Sequence, residues 1–338
     1  MSPHMTSHQL PPSGPVTSPG VPESVVRRLV LLACHAPSVY NTQPWAWRLR
    51  PDGMDLYADH QRRLPVADPT GRELVLSCGA ALHHVQVAAR ALGWEPTVRR
   101  FPDRSAPTLL AEVRLVPTVP PRSAADDIRA VHERSTDRRR FTSWPVPDER
   151  LERLAAEARE WDTDAVAVTD VIDRFRIDLL VGRAHQLQAR DPDVLAEQEQ
   201  WLDRRRGDGV PTATVPDRPA PDPSHRSRFG VGSLEDTGRD LEGTDAMIVL
   251  CAEEDAPRAW LRAGEGLSAL WLHAVHHGLS VVPLSQVVEV AETRAALRHE
   301  VFGGLVEPLL LLRVGWQAIG RRHLVATPRR PLDQVLLP

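Results

Sequence analysis

The sequence predicts an α+β fold in which two related halves of unequal length each combine an antiparallel sheet with flanking helices. Short apolar strand patterns alternate along the chain with long helical patterns. Two of the long helices repeat one spacing of glycine and apolar residues at an offset of 185 residues. A hydrophobic content of 42% over 338 residues is enough to give both halves a sizeable core.

The first half follows a stretch rich in Pro, Ser and Gly, residues 1–21, whose composition predicts disorder. A helical spacing of apolar residues begins at Pro22 and stops at Pro37. Two strand patterns, WAWRLR and MDLYAD, then flank a Pro-Asp-Gly turn. The other predicted elements of this half are a long buried helix at Leu74–Leu92 that is closed by Gly93, and a strand at 109–116.

The second half is longer and contains an irregular segment. Residues 207–242 mix Gly, Pro, Asp and Arg with almost no periodicity, which predicts a mobile lid that adds little to a core. The regular elements predicted here are helices at 124–133, 148–160 and 170–205 with a break at Asp191-Pro192, a buried strand at 246–252, a helix at 257–277 closed by Gly278, and a core strand at 308–316.

The repeat favours a duplicated chain. Gly79 and Gly93 match Gly264 and Gly278 at the offset of 185, and a weaker match at an offset of 125 joins the helices after Pro22 and Pro147. The second copy therefore holds about sixty extra residues, which include the irregular segment. Two amphipathic helices that end in glycine also resemble each other through shared physics alone. The predicted halves are residues 22–122 and residues 123–338, with the lid inserted at about 207–242.

Charge and cysteine content limit the possible partners and the compartment. A net charge of -4 gives no long-range attraction to nucleic acid or to an acidic membrane, so a small anionic ligand is the better expectation. No apolar run approaches the length of a membrane span, and the N-terminus lacks a signal-peptide pattern. Cys34, Cys78 and Cys251 lie apart in apolar surroundings, as reduced core thiols do. These features predict a cytoplasmic protein.

Two motifs resemble those of nitroreductases. Residues 36–49, APSVYNTQPWAWRL, resemble the PSxxNxQPW loop of that family, and residues 134–147, RSTDRRRFTSWPVP, resemble its arginine segment. In ordinary members the arginine segment comes first, and two subunits share each FMN site. The reversed order here implies an intramolecular pseudo-dimer with one site, for which a monomer suffices. The segments YADHQRRLPVADPTGRELVLSCGAAL and GLSVVPLSQVVEV are similar to the Acg-like actinobacterial branch.

The resemblance implies FMN as the cofactor and twelve contact positions. By position these are the flavin loop Pro37, Ser38 and Asn41; the phosphate, ribityl and pyrimidine contacts Arg134, Thr136 and Arg138; the loop facing flavin N5, Pro283, Leu284, Ser285 and Gln286; and a basic pair on the phosphate, Arg329 and Arg330. Guanidinium groups suit a phosphate because they offer fixed forks of donors and stay charged. A cation such as Arg138 also suits the electron-rich edge of reduced FMN.

Two positions depart from the pattern of ordinary nitroreductases. One extra residue precedes Phe141, so Ser135 or Arg139 could replace a neighbour as a flavin contact. Gln286 stands where ordinary members often have glycine, which puts substrate access to the flavin in question.

The resemblance implies an enzyme in which NAD(P)H delivers hydride to FMN and a nitroaromatic or quinone acceptor then takes it, with no catalytic side chain. The alternative is a protein that stores or sequesters FMN beneath the lid with little turnover. A weaker alternative is a degenerate fold that holds no flavin. Two further patterns carry less weight: GEGLSA, a loose dinucleotide fingerprint inside a helix, and His273, His276 and His277, which could bind a metal but crowd a helix C-terminus.

Overall fold

The computed structural model describes residues 20–204, 207–217, 227–235, 245–317 and 324–338. Residues 1–19 of the stretch predicted to be disordered lie outside these described residues. Val21, the last residue of that stretch, is buried, and its amide donates a hydrogen bond of 2.9 Å to the carbonyl of Pro51. The packed chain therefore begins no later than Val21.

The first half contains one antiparallel sheet and two helices. Its elements are α1 Glu23–Ala33, β1 Trp45–Arg50, β2 Gly53–Ala58, α2 Arg72–Ala91, β3 Trp94–Arg100 and β4 Leu109–Pro117. The strands lie in the order β1-β2-β4-β3. Trp45 and Trp47 of β1 are fully buried, so this strand fixes the sheet against the helices.

The second half contains a second antiparallel sheet and most of the helices. Its elements are α3 Ala124–Glu133, α4 Asp148–Arg159, β5 Asp164–Val168, α5 Val171–Gln188, α6 Pro192–Gln200, β6 Ala246–Ala252, α7 Pro257–His276, β7 Leu279–Leu284, α8 Gln286–Glu289, α9 Ala291–Ala296, β8 Glu307–Trp316 and α10 Leu332–Val335. The strands lie in the order β5-β6-β8-β7. β6 and β8 are buried nearly throughout, as expected for central strands.

The α+β prediction is confirmed, and both sheets follow the same rule of strand order. In each sheet the second and fourth strands along the chain lie at the centre, and the first and third lie at the edges. Two copies of one supersecondary unit would produce this correspondence. Duplication itself stays a prediction.

Helices α2 and α7 cross at the centre of the molecule through two glycines. A Cβ atom on Gly79 would lie 2.1 Å from the carbonyl oxygen of Leu261, and one on Gly264 would lie 1.9 Å from that of Leu76. One turn further on, His83 Nδ1 lies 2.7 Å from Ser268 Oγ, again 185 residues apart. Positions that match in the repeat therefore meet each other, as residues near a twofold axis do. Although both helices have 20 residues, no helix in the described ranges could cross a membrane.

The chain returns to the first half at its C-terminus. The amide of Leu337 donates a hydrogen bond of 2.7 Å to the carbonyl of Trp47, and Leu336 forms a parallel bridge with the same tryptophan. This return brings residues 324–331, which precede α10, beside the loop between α1 and β1. The basic pair Arg329 and Arg330 and the loop at Pro37–Asn41, the parts of the predicted site that are farthest apart in the sequence, therefore lie close together.

Three strands were not predicted from the sequence: β3, β5 and β7. All three are edge strands, which pair on one side only, so their sequences need less continuous apolar character. β3 starts directly after Gly93, has one buried residue and otherwise alternates between exposed and half-buried residues, and β5 has only five residues. The helix predicted at 170–205 ends earlier, because α6 stops at Gln200.

Candidate functional site

A single cavity between the two halves gathers most of the predicted positions. Eleven of the twelve line it: Pro37, Ser38, Asn41, Arg134, Thr136, Arg138, Pro283, Leu284, Ser285, Gln286 and Arg329. The first half contributes the loop after α1 and the first turns of α2. The second half contributes the segment after α3, the end of β7 and the C-terminal stretch. The cavity is therefore built from both halves of one chain.

The loop after α1 is held in an unusual backbone conformation. Tyr40, Asn41 and Gln43 all have positive φ angles, of 48°, 54° and 49°, a region that non-glycine residues rarely occupy. Ser38 Oγ accepts a hydrogen bond from the Gln43 amide at 3.0 Å, and Ser77 Oγ accepts one from the Val39 amide at 3.1 Å. These contacts compensate the local strain and fix the loop against α2.

Asn41 and Gln43 join this loop to the second half. Asn41 Nδ2 donates to the carbonyl of Gly209 at 2.8 Å and to that of Pro328 at 3.1 Å. Gln43 Nε2 donates to the carbonyl of Gly207 at 2.9 Å. Asn41 therefore acts mainly as a structural link between the loop, the irregular segment and the C-terminal stretch.

One end of the cavity is strongly cationic. Arg134 and Arg329 both donate to the carbonyl oxygen of His35 just beyond the C-terminus of α1, at 3.2 and 3.1 Å. Arg134 also lies over the ring of Trp271, with its guanidinium carbon 4.7 Å from the centroid. Free carbonyls at a helix C-terminus attract cations, so α1 positions both guanidinium groups.

Arg134 is buried, Arg138 and Arg329 are half-buried, and none of the three has a balancing acid in the part of the chain that the structure describes. Within the described residues, no carboxylate forms an ion pair with Arg134, Arg138 or Arg329. Burial lowers the pKa of Arg134 to about 9 and the pKa of Arg138 and Arg329 to about 10. The Nε and Nη1 atoms of Arg134 and the Nε atom of Arg329 have no hydrogen-bond partner.

An anion bound at the cationic end of the cavity would balance the charges of these arginines. Buried guanidinium groups without partners are costly, because they lose hydration and gain nothing in return. An anionic group at this end of the cavity would accept hydrogen bonds from the free N–H groups. The donor set therefore fits a phosphate better than a neutral ligand.

Arg330, the twelfth predicted position, does not line the cavity. Its guanidinium donates to the carbonyls of Gln43 at 3.0 Å and Gln334 at 2.6 Å, and lies 3.6 Å from a carboxylate oxygen of Asp59. Arg329 and Arg330 follow each other in non-helical chain, so their side chains point in opposite directions. The structure places only Arg329 at the cationic end, and Arg330 ties the C-terminal stretch to the first half.

The alternatives raised by the extra residue before Phe141 do not reach the cavity. Ser135 is exposed, and the guanidinium of Arg139 binds the carboxylate of Asp137 at 2.6 to 3.1 Å. Thr136 and Arg138 remain in the lining, half-buried. Gln286 is buried, and its amide donates to Gln188 Oε1 at 2.9 Å, so α5 holds this side chain.

The irregular segment is better packed than its sequence predicts. Val210, Val215 and Phe229 are buried in a small apolar cluster with Tyr40 and Trp201. Backbone bridges join Leu202 to Val210 and Pro216 to Leu234. The prediction that this segment adds little to a core is therefore wrong for its described parts. Residues 218–226 and 236–242 of the predicted lid lie outside the described residues.

Arg228 of this segment joins both halves at the other end of the cavity. Its guanidinium donates to Tyr40 Oη at 3.1 Å, to Ser285 Oγ at 3.0 Å and to Glu289 at 2.9 Å. Phe229 beside it packs edge-on against Tyr40, with centroids 5.1 Å apart, and lies under the guanidinium of Arg138. The sequence carries no motif that identifies Arg228 and Phe229, because apolar and basic residues are isolated among Pro and Gly here.

Glu73 is a third cavity residue, after Arg228 and Phe229, that no sequence motif identifies. It lies in the first turn of α2, lines the cavity and is only 4% exposed. An acid in a first helical turn is ordinarily explained by the helix dipole and remains in solvent. The cavity therefore has a cationic end at Arg134 and Arg329, and an end with mixed charges at Glu73 and Arg228, the latter paired with Glu289.

The described residues contain no group of three or more His, Cys, Asp or Glu side chains placed to bind a metal ion. His273, the first of the clustered histidines, instead stacks on His277 with centroids 4.4 Å apart and lies 3.2 Å from Glu157.

Comparisons with known proteins identify clear relatives, although no family model matches the chain. The Mycobacterium tuberculosis protein "Putative NAD(P)H nitroreductase Rv3131" is 38% identical over 314 residues, which cover 92% of this chain and 90% of the relative. "Putative NAD(P)H nitroreductase acg" from the same organism is 32% identical over 330 residues, covering 93% of this chain and 96% of the relative. Among solved structures, a nitroreductase with bound FMN from Bacteroides fragilis is 12% identical, with a TM-score of 0.39, and covers 60% of this chain and 94% of that chain.

Proposed function

Because this chain belongs to the nitroreductase family, in the branch that contains the acg protein, we propose that it is an FMN-dependent oxidoreductase that uses NAD(P)H. Electrons would pass through FMN to a small acceptor of the nitroaromatic or quinone class. The observation that carries this proposal is the cationic end of the cavity, where Arg134 and Arg329 hold buried N–H groups without partners. These groups suit the FMN phosphate, whose charge they would neutralise.

The chain's own residues would position and enclose the cofactor. Arg134 and Arg329 would bind the phosphate, and Arg138 would supply a cation along the ring system. The loop at Pro37–Asn41 and the stretch Pro283–Gln286 would line the two sides of the ring system, each fixed by the contacts described above. When bound, FMN supplies two-electron hydride chemistry that no amino-acid side chain offers.

The pseudo-dimer is part of the proposal. The first half provides the loop, the second half provides the arginines, and each is present once, so one chain would bind one FMN as a monomer. The contact of Gly79 with Gly264 and that of His83 with Ser268 support this arrangement, because matched positions meet at the crossing of α2 and α7.

A storage role is the second candidate, and one observation favours it. Arg228 and Phe229 close the cavity on the side of Tyr40 and Ser285, and Arg228 holds three separate partners there. If these contacts persist in solution, a bound flavin would be shielded from NAD(P)H and acceptors. A protein that binds FMN but exchanges no electrons would then result.

Anaerobic mixing of FMN-loaded protein with NADH or NADPH distinguishes the two roles. We expect NADH or NADPH to bleach the flavin absorbance at least as fast as the protein turns over in steady state. The absorbance should return when a quinone or nitroaromatic compound is then added under anaerobic conditions. Persistent yellow colour in fully loaded protein would contradict the enzyme and favour storage. Protein that stays colourless after incubation with FMN would contradict both.

A further inference from the structure

Glu73 is a buried carboxyl group that faces the cavity without a bonded partner. It is 4% exposed, and its Oε1 atom has no hydrogen-bond partner among the described residues. Only its backbone is used locally, where the carbonyl of Glu73 accepts a hydrogen bond from Ser77 Oγ at 2.7 Å. No structural contact therefore explains why an acid occupies this position.

The charges around Glu73 favour its neutral form. Burial raises its pKa most, and the carboxylates of Glu289 and Asp68 raise it further. Arg72 and Arg228 act in the opposite direction, but both have other partners. The sum raises the pKa of Glu73 to about 8, so the group is a carboxylic acid at neutral pH.

The two arginines that face Glu73 are engaged elsewhere. Arg72 donates to the carbonyl of Val288 at 2.9 Å and lies 3.6 Å from Asp255. Arg228 is paired with Glu289 through contacts of 2.9 and 3.1 Å. The Nε and Nη1 atoms of Arg72 have no hydrogen-bond partner among the described residues, but burial and the carboxylates of Glu289 and Asp68 raise the pKa of Glu73 more than the two arginines lower it.

Glu73 lies at the end of the cavity away from the phosphate-type donors. The largest charge effects on it come from Glu289, Asp68, Arg72 and Arg228, whereas Arg134 acts on His84, about three turns further along α2. A ligand with its phosphate at the cationic end would have room to extend its ring system toward Glu73, Ser285 and Arg228, which line the same cavity. A reducible acceptor seated on that ring system would then lie beside this carboxyl group.

We propose that Glu73 is the proton donor to the acceptor that is reduced in this cavity, an inference that rests on the proposed oxidoreductase function. A quinone that gains a hydride receives two electrons and one proton, and it needs one more proton on its second oxygen. The O–H bond of Glu73 breaks, an O–H bond forms on that oxygen, and the remaining carboxylate takes a proton from water. The sum is NAD(P)H plus quinone plus one proton giving NAD(P)+ and hydroquinone.

Proton donation of this kind has a definite pH dependence. The donor is present while Glu73 is protonated and is lost as the pH rises through about 8. Removing the negative charge of Glu289 should lower the pKa of Glu73, because Glu289 raises it. The same change also leaves Arg228 with one acid fewer to balance it, which acts in the same direction. The pH at which the rate falls should therefore move down in Glu289→Gln.

The test uses photoreduced, FMN-loaded protein that is mixed anaerobically with benzoquinone, so that it does not depend on NAD(P)H. The variants are Glu73→Gln, which keeps the shape of the neutral acid, Glu289→Gln, and Glu292→Gln as a matched control. Glu292 is an exposed acid in α9 that pairs with Arg183 at 3.0 Å. In parallel, infrared difference spectra of the oxidised protein follow the protonated carboxyl band of Glu73 with pH.

We expect reoxidation of Glu73→Gln to be about 100-fold slower below pH 8, within the range for general acids, and to lose its alkaline fall. Glu289→Gln should be reoxidised as fast as the parent protein at low pH, but its reoxidation rate should fall at a lower pH than that of the parent. Glu292→Gln should match the parent protein in both respects. The infrared band should titrate near pH 8 and vanish in Glu73→Gln. Equal reoxidation rates and pH profiles in Glu73→Gln and the parent would overturn the proposal. If only bleaching by NAD(P)H fails, the proposed function is wrong while the role of Glu73 is still decided.

Discussion

Replacing Arg134 by alanine is expected to weaken FMN binding by about 10- to 100-fold while leaving riboflavin binding nearly unchanged. Riboflavin has no phosphate, so it cannot use the two partnerless N–H groups of Arg134. A hydrogen bond to a charged group contributes roughly 1.5 to 3 kcal/mol, which corresponds to that range of affinity. The measurement is a fluorescence titration of each flavin against the apoprotein.

Arg329 and Arg330 provide a matched pair of controls for this prediction. Arg329→Ala should behave as Arg134→Ala does, because both guanidinium groups lie at the cationic end and share the carbonyl of His35. Arg330→Ala should weaken both flavins to the same extent, since Arg330 holds the C-terminal stretch in place. Equal losses of FMN and riboflavin in Arg134→Ala would remove this arginine from the phosphate site.

Replacing Gly264 by alanine is expected to destabilise the fold by about 3 kcal/mol or more, or to leave the protein insoluble. The new Cβ would lie 1.9 Å from the carbonyl oxygen of Leu76 and 2.8 Å from the Cα of Gly79, so the backbones of α2 and α7 must separate. Overpacking a core typically costs 1 to 3 kcal/mol, and backbone atoms cannot move aside as a flexible side chain can. A thermal melt should show a fall of roughly 4 °C or more.

Gly278 is the control for the loss of a glycine in the same region. It lies just beyond α7 with a φ of +71°, and no atom lies within 4 Å of a Cβ built there. Asparagine tolerates this left-handed conformation, so Gly278→Asn should have a small effect on the melting temperature. A Gly264→Ala protein as stable as Gly278→Asn would show that α2 and α7 do not cross as closely as described.

The sequence predicts the central elements well because their patterns are continuous. β6 and β8 are runs of apolar residues, and α2 and α7 keep a helical spacing for 20 residues between recognisable ends. Such patterns depend on local periodicity and burial on all sides. The edge strands β3, β5 and β7 lack that continuity, so their pairing becomes visible only in the folded sheet.

The same contrast holds within the site. The loop at Pro37–Asn41 and the arginine segment are motifs that can be recognised in the chain, and the structure brings them together at one cavity. Whether Arg329 or Arg330 points into the cavity depends on the path of the backbone there. Two adjacent arginines look the same in the sequence, so the sequence does not distinguish them. Glu73 and Arg228 gain their properties from residues distant in sequence, such as Glu289, and therefore have no local signature.

The number of FMN molecules bound per chain tests the central claim, that the two halves of one chain build a single flavin site. The measurement is an equilibrium titration of apoprotein with FMN, combined with the molar mass of the loaded protein from light scattering. We expect one FMN for each chain of 37.5 kDa, bound to a monomer. Two FMN molecules per chain, or one FMN for each pair of chains, would contradict it.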